Sequence, residues 1–325
     1  MNIDFHNHFF PEAYIKELKK EKGYAEVKTD SQGRVLIYYS GDYNIVVGPH
    51  VDIKERIEEM DKNDMDMQVL TLTTPGVERE ETKRGIHLAQ VANDIFSDIV
   101  EKYPDRFTAL ATLPLQDTEA SVEELRRAVK ELGLSGAMIF TNINNKTLDL
   151  KEFWPIYAEA VKLNVPVFLH PTTPIDLKGL LDYRLVPMLG FTLDTSLAVT
   201  RMIYGGVFDK YPTLKLIASH LGGTLPFLVG RIDTGYNRYP ECNSLIKKPP
   251  SEYIKRIWVD SICYDKNVFM CGYNLLGPDK IVLGSDFPMG ISDFEMTVKR
   301  IKDLDISEED KEKILGENAK KLLGL

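Results

Sequence analysis

The chain has 325 residues, of which 43 % are apolar and 27 % charged, with a net charge of −9; that is the composition of a folded protein with one large domain or two ordinary ones. No cluster of Lys or Arg stands out, which argues against nucleic acid or an acidic membrane surface as the main partner. No apolar stretch approaches the roughly 20 residues that span a bilayer, no secretory leader opens the chain, and Cys242, Cys263 and Cys271 fit no zinc spacing, so a soluble cytoplasmic protein with reduced thiols is expected.

The first element is a short strand in Asn2-Ile3-Asp4-Phe5-His6-Asn7-His8. Alternate residues of an extended chain face one side, so His6 and His8 can aim at one point. A charged helical stretch follows from Glu12 to Lys22. Residues 23–48 differ: Val35–Tyr39 and Tyr43–Val47 are β-rich runs around Ser40-Gly41-Asp42, which predicts a small antiparallel insertion.

From residue 52 helices and apolar strands alternate. Helix 52–64 leads to strand 68–72, helix 83–102 to strand 107–112, helix 118–131 to strand 136–140, and helix 151–163 to strand 166–169, which ends at His170. A longer connection over 175–205 holds one or two helices. Strand 215–219 ends at His220, strand 257–261 follows, and helix 265–276 leads to strand 280–285, which ends at Asp286. Helices near 293–303 and 307–323 close the chain. Apolar strands alternating with amphipathic helices imply a parallel sheet covered by helices. With the first strand there are eight, so the expected fold is α/β: a single (β/α)8 TIM barrel over 1–325 with the insertion near 23–48. An open doubly wound sheet is the alternative. It usually carries a Gly-rich turn after strand one, where this chain has His-Asn-His-Phe-Phe-Pro.

Of six histidines, His6, His8, His170 and His220 fall at strand ends, as does Asp286. In a barrel all such ends meet on one rim, where active sites form. Imidazoles and a carboxylate converging there read as a mononuclear metal site. His6, His8 and His170 supply three nitrogens and Asp286 an oxygen, while His220 is best used as a general acid/base. His87 lies within an amphipathic helix and reads as structural; His50, in a loop before residue 52, stays open.

These motifs resemble the amidohydrolase superfamily, and within it the branch of non-hydrolytic decarboxylases related to aminocarboxymuconate semialdehyde decarboxylase. The resemblance covers nearly the whole chain. It rests on Asp4-Phe5-His6-Asn7-His8, on Arg56-Ile57-Glu58-Glu59-Met60-Asp61 followed by Gln68-Val69-Leu70, and on Phe168-Leu169-His170-Pro171. Further on it rests on Ser219-His220-Leu221-Gly222-Gly223 with Gly230-Arg231 behind, Gly284-Ser285-Asp286-Phe287-Pro288, and Glu317-Asn318-Ala319-Lys320-Lys321-Leu322-Leu323. It implies that His6, His8, His170 and Asp286 hold one divalent metal, Zn2+ or alternatively Mn2+, with His220 and Asp286 in the proton transfer. It implies that Arg56 holds a substrate carboxylate and that Arg231 serves the neighbouring subunit of a homodimer. A surface charge for Arg56 and a structural ion pair for Arg231 are the alternatives. Thr172-Thr173 and Met289 depart from the family pattern beside the pocket, so the substrate need not be shared. Strand four ends in Phe140-Thr141-Asn142 without the lysine of two-metal hydrolases.

The expected activity is metal-dependent decarboxylation of an unsaturated or aromatic carboxylic acid. The alternatives are a mononuclear hydrolase or hydratase, and a barrel that binds metal or ligand without chemistry.

Overall fold

The computed structural model describes residues 1–325. Eight parallel strands form the barrel: β1 (Ile3–Asp4), β2 (Met67–Leu70), β3 (Phe107–Ala109, resuming as Ala111–Thr112), β4 (Ala137–Phe140), β5 (Pro166–His170), β6 (Lys215–Ala218), β7 (Trp258–Asp260) and β8 (Ile281–Val282). Their registers run Ile3 to Met67, Gln68 to Phe107, Ala111 to Ala137, Val167 to Ala137, Leu169 to Ala218, Ala218 to Val259 and Asp260 to Val282. Phe5 N–H donates to Leu283 O at 2.8 Å, and Asn7 bridges in parallel to Phe287, which closes β8 onto β1.

The strands are continuous apolar runs because helices cover them; β2, β4 and β5 are buried throughout. β3 is broken where it changes partner: Phe107–Ala109 pairs with β2, Leu110 N–H bonds Leu70 O, and Ala111–Thr112 pairs with β4. β1 and β8 are shorter than their apolar runs predict. Their continuations leave regular pairing to carry polar side chains into the rim, as when Ser285 and Asp286 N–H both turn to His6 O.

Local sequence starts the helices. Asp52 accepts from Lys54 and Glu55 N–H, Asp117 from Ala120 N–H, and Asp265 from Asn267 and Val268 N–H; each such cap stabilises by about 1 kcal/mol. In the long connection, a wide helical turn Val186–Gly190 runs directly into helix Phe191–Tyr204.

The expected insertion is present as an antiparallel sheet of Glu26–Thr29, Val35–Tyr39 and Asp42–Val46. It helps wall the rim cavity through Tyr39, Asp42, Tyr43, Asn44 and Ile45. No helix is long and apolar enough to cross a membrane.

Candidate active site

His6 and His8 lie just past β1, His170 ends β5, His220 follows β6 and Asp286 follows β8. Ligand atoms of His6, His170, His220 and Asp286 all lie within 4.8 Å of one another, a group that fits a divalent cation. His8 joins it, with Nε2 3.1 Å from His6 Nε2 and 3.0 Å from Asp286 Oδ1. The structure therefore brings together all five residues singled out at the rim, with a His220 ring nitrogen inside the same 4.8 Å group as His6, His170 and Asp286.

The tautomers follow from the outer bonds. His6 Nδ1 lies 2.6 Å from Asp260 Oδ2, a carboxylate that only accepts. His170 Nδ1 lies 2.7 Å from Pro171 O, which also only accepts. His8 Nδ1 lies 3.1 Å from Thr71 Oγ1, whose own hydroxyl hydrogen goes to Asn7 O at 2.5 Å, so Thr71 accepts from His8. Each of the three rings thus carries its proton on Nδ1 and turns the Nε2 lone pair inward. Two such lone pairs, on His6 and His8, face each other at 3.1 Å with no proton between them. That arrangement is repulsive alone and becomes favourable around a cation, so the donor set fits a metal on its own chemistry.

Electrostatics agree. Burial opposes a charged His6, but Asp260, Asp286 and Asp4 outweigh it and raise its pKa, making Nε2 a stronger donor. Burial pushes His8 down to about 4 against the pull of the Asp286 carboxylate beside it, and burial with the neighbouring imidazoles holds His170 well below its usual range. Burial also lowers His220. Burial favours a neutral Asp286, yet His8, His6 and His220 prevail and push its carboxyl down to about 2.

Asp260, at the end of β7, was not singled out from the sequence. Beyond orienting His6, it accepts His220 N–H at 2.8 Å, Leu221 N–H at 3.1 Å and Ile262 N–H at 2.9 Å. Those bonds hold His220 and Leu221 at φ +55° and +56°, a left-handed conformation that non-glycine residues rarely adopt. Its signal was visible in principle: a carboxylate closes an apolar strand, as with Asp286. Thr71, after β2, carried no such mark. Gly284 explains the close packing behind the rim, since a Cβ there would lie 2.9 Å from His6 Cβ and 3.0 Å from Asp260 Cβ.

His220, unlike the other three, has no fixed ring partner, and its Nδ1 is buried without a hydrogen bond. His50 is buried too. Its Nδ1 accepts Val47 N–H at 3.1 Å, and its Nε2 lies 3.5 Å from Met289 Sδ. His87 is exposed on its helix beside Glu17, at 3.5 Å.

A cavity of about 840 Å³ opens onto His170, His220 and Asp286, and Arg34 and Arg184 are the only arginine or lysine residues in its wall. Arg56, expected against a substrate carboxylate, lies away from the cavity wall in this structure. Its side chain is fully buried and packs between the Phe9 and Phe287 rings. Nε donates to Pro49 O at 2.8 Å, Nη1 to Asn7 Oδ1 at 3.0 Å and to Gln68 Oε1 at 2.7 Å, and Nη2 to His8 O. Every nitrogen is engaged, and the cavity wall does not include it. Arg231 is exposed on helix Leu225–Arg238, also outside this cavity.

The amidohydrolase family model, described as "Amidohydrolase", matches residues 3–325. The 2-amino-3-carboxymuconate-6-semialdehyde decarboxylase of Dictyostelium discoideum is 35 % identical, over 100 % of this chain and 92 % of that protein. The solved 5-carboxyvanillate decarboxylase of Sphingomonas paucimobilis superposes with a TM-score of 0.87 at 25 % identity, covering 100 % of this chain and 99 % of that one. A dihydroxybenzoic acid decarboxylase of Polaromonas sp., solved with bound manganese and the inhibitor 2-nitroresorcinol, gives a TM-score of 0.83 at 27 % identity, covering 100 % and 97 %.

Proposed function

Because the chain belongs to the amidohydrolase family and is a metal-dependent carboxy-lyase within it, we propose a division of labour among its rim residues. The reaction is decarboxylation of an aromatic or unsaturated carboxylic acid. His6, His8, His170 and Asp286 hold one divalent cation. The observation that carries this reading is the inward Nε2 lone pair on three rings whose Nδ1 protons are committed to Asp260, Thr71 and Pro171 O. When bound, the cation supplies positive charge that draws the acid in and stabilises negative charge developing in the transition state.

His220 is the proton donor. Its ring is not locked in one tautomer, so it can gain and lose a proton, while Asp260 fixes its backbone. It delivers the proton to the carbon that bears the carboxylate. A C–H bond forms there, the C–C bond to the carboxylate breaks, and its electron pair returns to the unsaturated system as carbon dioxide leaves. His220 is reprotonated from solvent. Asp286 keeps the proton-transfer region anionic and favours the charged form of His220.

A donor set of three imidazoles and a carboxylate accepts Zn2+ or Mn2+. We assign Zn2+; metal analysis that finds Mn2+ instead overturns that assignment. Cys242, Cys263 and Cys271 are free thiols, in keeping with a cytoplasmic setting. We assign the working unit as a homodimer. Helix Leu225–Arg238 buries only Leu225 and leaves Phe227 85 % exposed and Arg231 turned away from its own subunit, which supports an isologous interface through which Arg231 serves the partner's cavity. Mixing Arg231→Ala and His220→Ala chains, each inactive alone, then restores activity through dimers with one complete site. Continued inactivity despite subunit exchange overturns the role in trans.

The decisive experiment follows turnover of aromatic acids in D2O. A lyase releases carbon dioxide and leaves one deuterium on the carbon that lost it; acid release without gas marks a hydrolase instead. His220→Ala retains one equivalent of metal and loses about 10²–10⁴-fold in rate; loss of the metal makes His220 a ligand.

A further inference from the structure

Arg184 is assigned no part in the reaction above, yet it sits in the cavity wall. It lies in a tight turn closed by Leu185 N–H on Asp182 O at 3.0 Å. Both central residues, Tyr183 and Arg184, have left-handed backbones at φ +56° and +58°. Non-glycine residues adopt that conformation at a cost of about 1–3 kcal/mol each, and such strain gathers at ligand clamps. Nothing packs on Tyr183 to explain it, since that side chain is 90 % exposed.

The guanidinium is held from one side. It lies over the Tyr43 ring, 4.3 Å from the centroid, with Nη2 3.2 Å from Asp42 Oδ1 and 3.4 Å from Tyr43 O. The Asp42 side chain is only 4 % exposed, so the anchor is a carboxylate largely removed from solvent on the antiparallel insertion. Nη2 makes the only hydrogen bond of the group; Nε and Nη1 donate none. Arg34, the other cation of the wall, is already engaged through Nε and Nη2 by Asp30 at 2.7 Å.

We propose that Arg184 determines specificity by holding a second acidic group on the substrate, so that the cavity it shares with His170, His220 and Asp286 selects dicarboxylic acids. A guanidinium stacked on a ring and anchored at one nitrogen is pre-organised to receive a carboxylate on its free ones. The proposal rests on the reading that this cavity takes carboxylic acids.

The test compares isophthalate with benzoate by calorimetric titration of the metal-loaded protein. Arg184→Met weakens isophthalate by about 10- to 100-fold and leaves benzoate within about twofold, while Arg184→Lys falls between. Asp42→Asn leaves isophthalate binding unchanged or tighter, because it removes a competing anion and keeps the cation. If Arg184→Met and Asp42→Asn both weaken both acids alike, the pair is only a latch between two segments and the proposal falls. If Arg184→Met changes neither acid, Arg184 is idle and the proposal falls, with the acid-binding reading intact. Wild-type protein that binds neither acid overturns that reading and this proposal with it.

Discussion

Two buried polar clusters adjoin each other at the start of the chain, and only one is complete. In the first, Arg56 bonds Asn7, Gln68, His8 O and Pro49 O, Gln68 passes on to Asp4 at 3.0 Å, and Asp4 accepts Ser285 Oγ at 2.6 Å. Asn7 uses its remaining donors on Asp4 O and Val69 O. In the second, two imidazole lone pairs oppose each other and His220 Nδ1 has no partner. The first is fully buried and the second opens onto the cavity, with His220 only partly buried. A network whose donors and acceptors all match rigidifies the fold, whereas one left short of positive charge is a place for something to bind. Burial pushes Asp4 up to about 7 even so, against the bonds from Ser285 and Gln68 and the charges of His6 and Arg56; the closed cluster depends on its arginine.

The difference can be broken most severely at Arg56. Arg56→Met strands four acceptors in the interior and is expected to cost about 3–5 kcal/mol. Urea unfolding should show the same loss in metal-loaded and chelated protein. A variant of normal stability with a raised KM would instead restore Arg56 to substrate binding.

Asp260→Asn tests the link between the clusters and the rim. Its amide oxygen can still accept from Leu221 and Ile262 N–H, but its NH2 then replaces the oxygen shared by His6 Nδ1 and His220 N–H; that favours the other His6 tautomer, puts a proton on Nε2 and leaves His220 N–H without its acceptor. Metal affinity is expected to fall by about 10–100-fold, so that metal-loaded protein loses more stability than chelated protein does. Equal stability loss in both forms would mean that Asp260 acts on the fold alone.

Thr71→Val is the mildest probe. It keeps shape and removes the acceptor of His8 Nδ1, so metal affinity should drop by about fivefold, the equivalent of roughly 1 kcal/mol. Unchanged affinity would show that His8 needs no outer partner and would weaken its place among the ligands.

The eight-strand barrel and the antiparallel insertion were legible because they depend on local pattern. Apolar runs such as Pro166–Leu169 and Leu216–Ala218 can only be covered strands, and Asp52, Asp117 and Asp265 announce the helices that follow. The five rim residues were legible for the same reason: strand direction puts every strand's end on one face. What the pattern could not decide was which way a side chain turns once it leaves the strand. Arg56 and Arg184 are the same residue type, one on a helix and the other in a turn; the first is buried between Phe9 and Phe287 with every nitrogen engaged, and the second faces the cavity. Asp260 finds His6 across 254 positions of sequence, and no period in the chain encodes that pairing. Local sequence determined where the elements begin, end and point. Only the closed barrel decided which polar groups were matched in its interior and which were left facing one another, because that depends on partners brought together by folding.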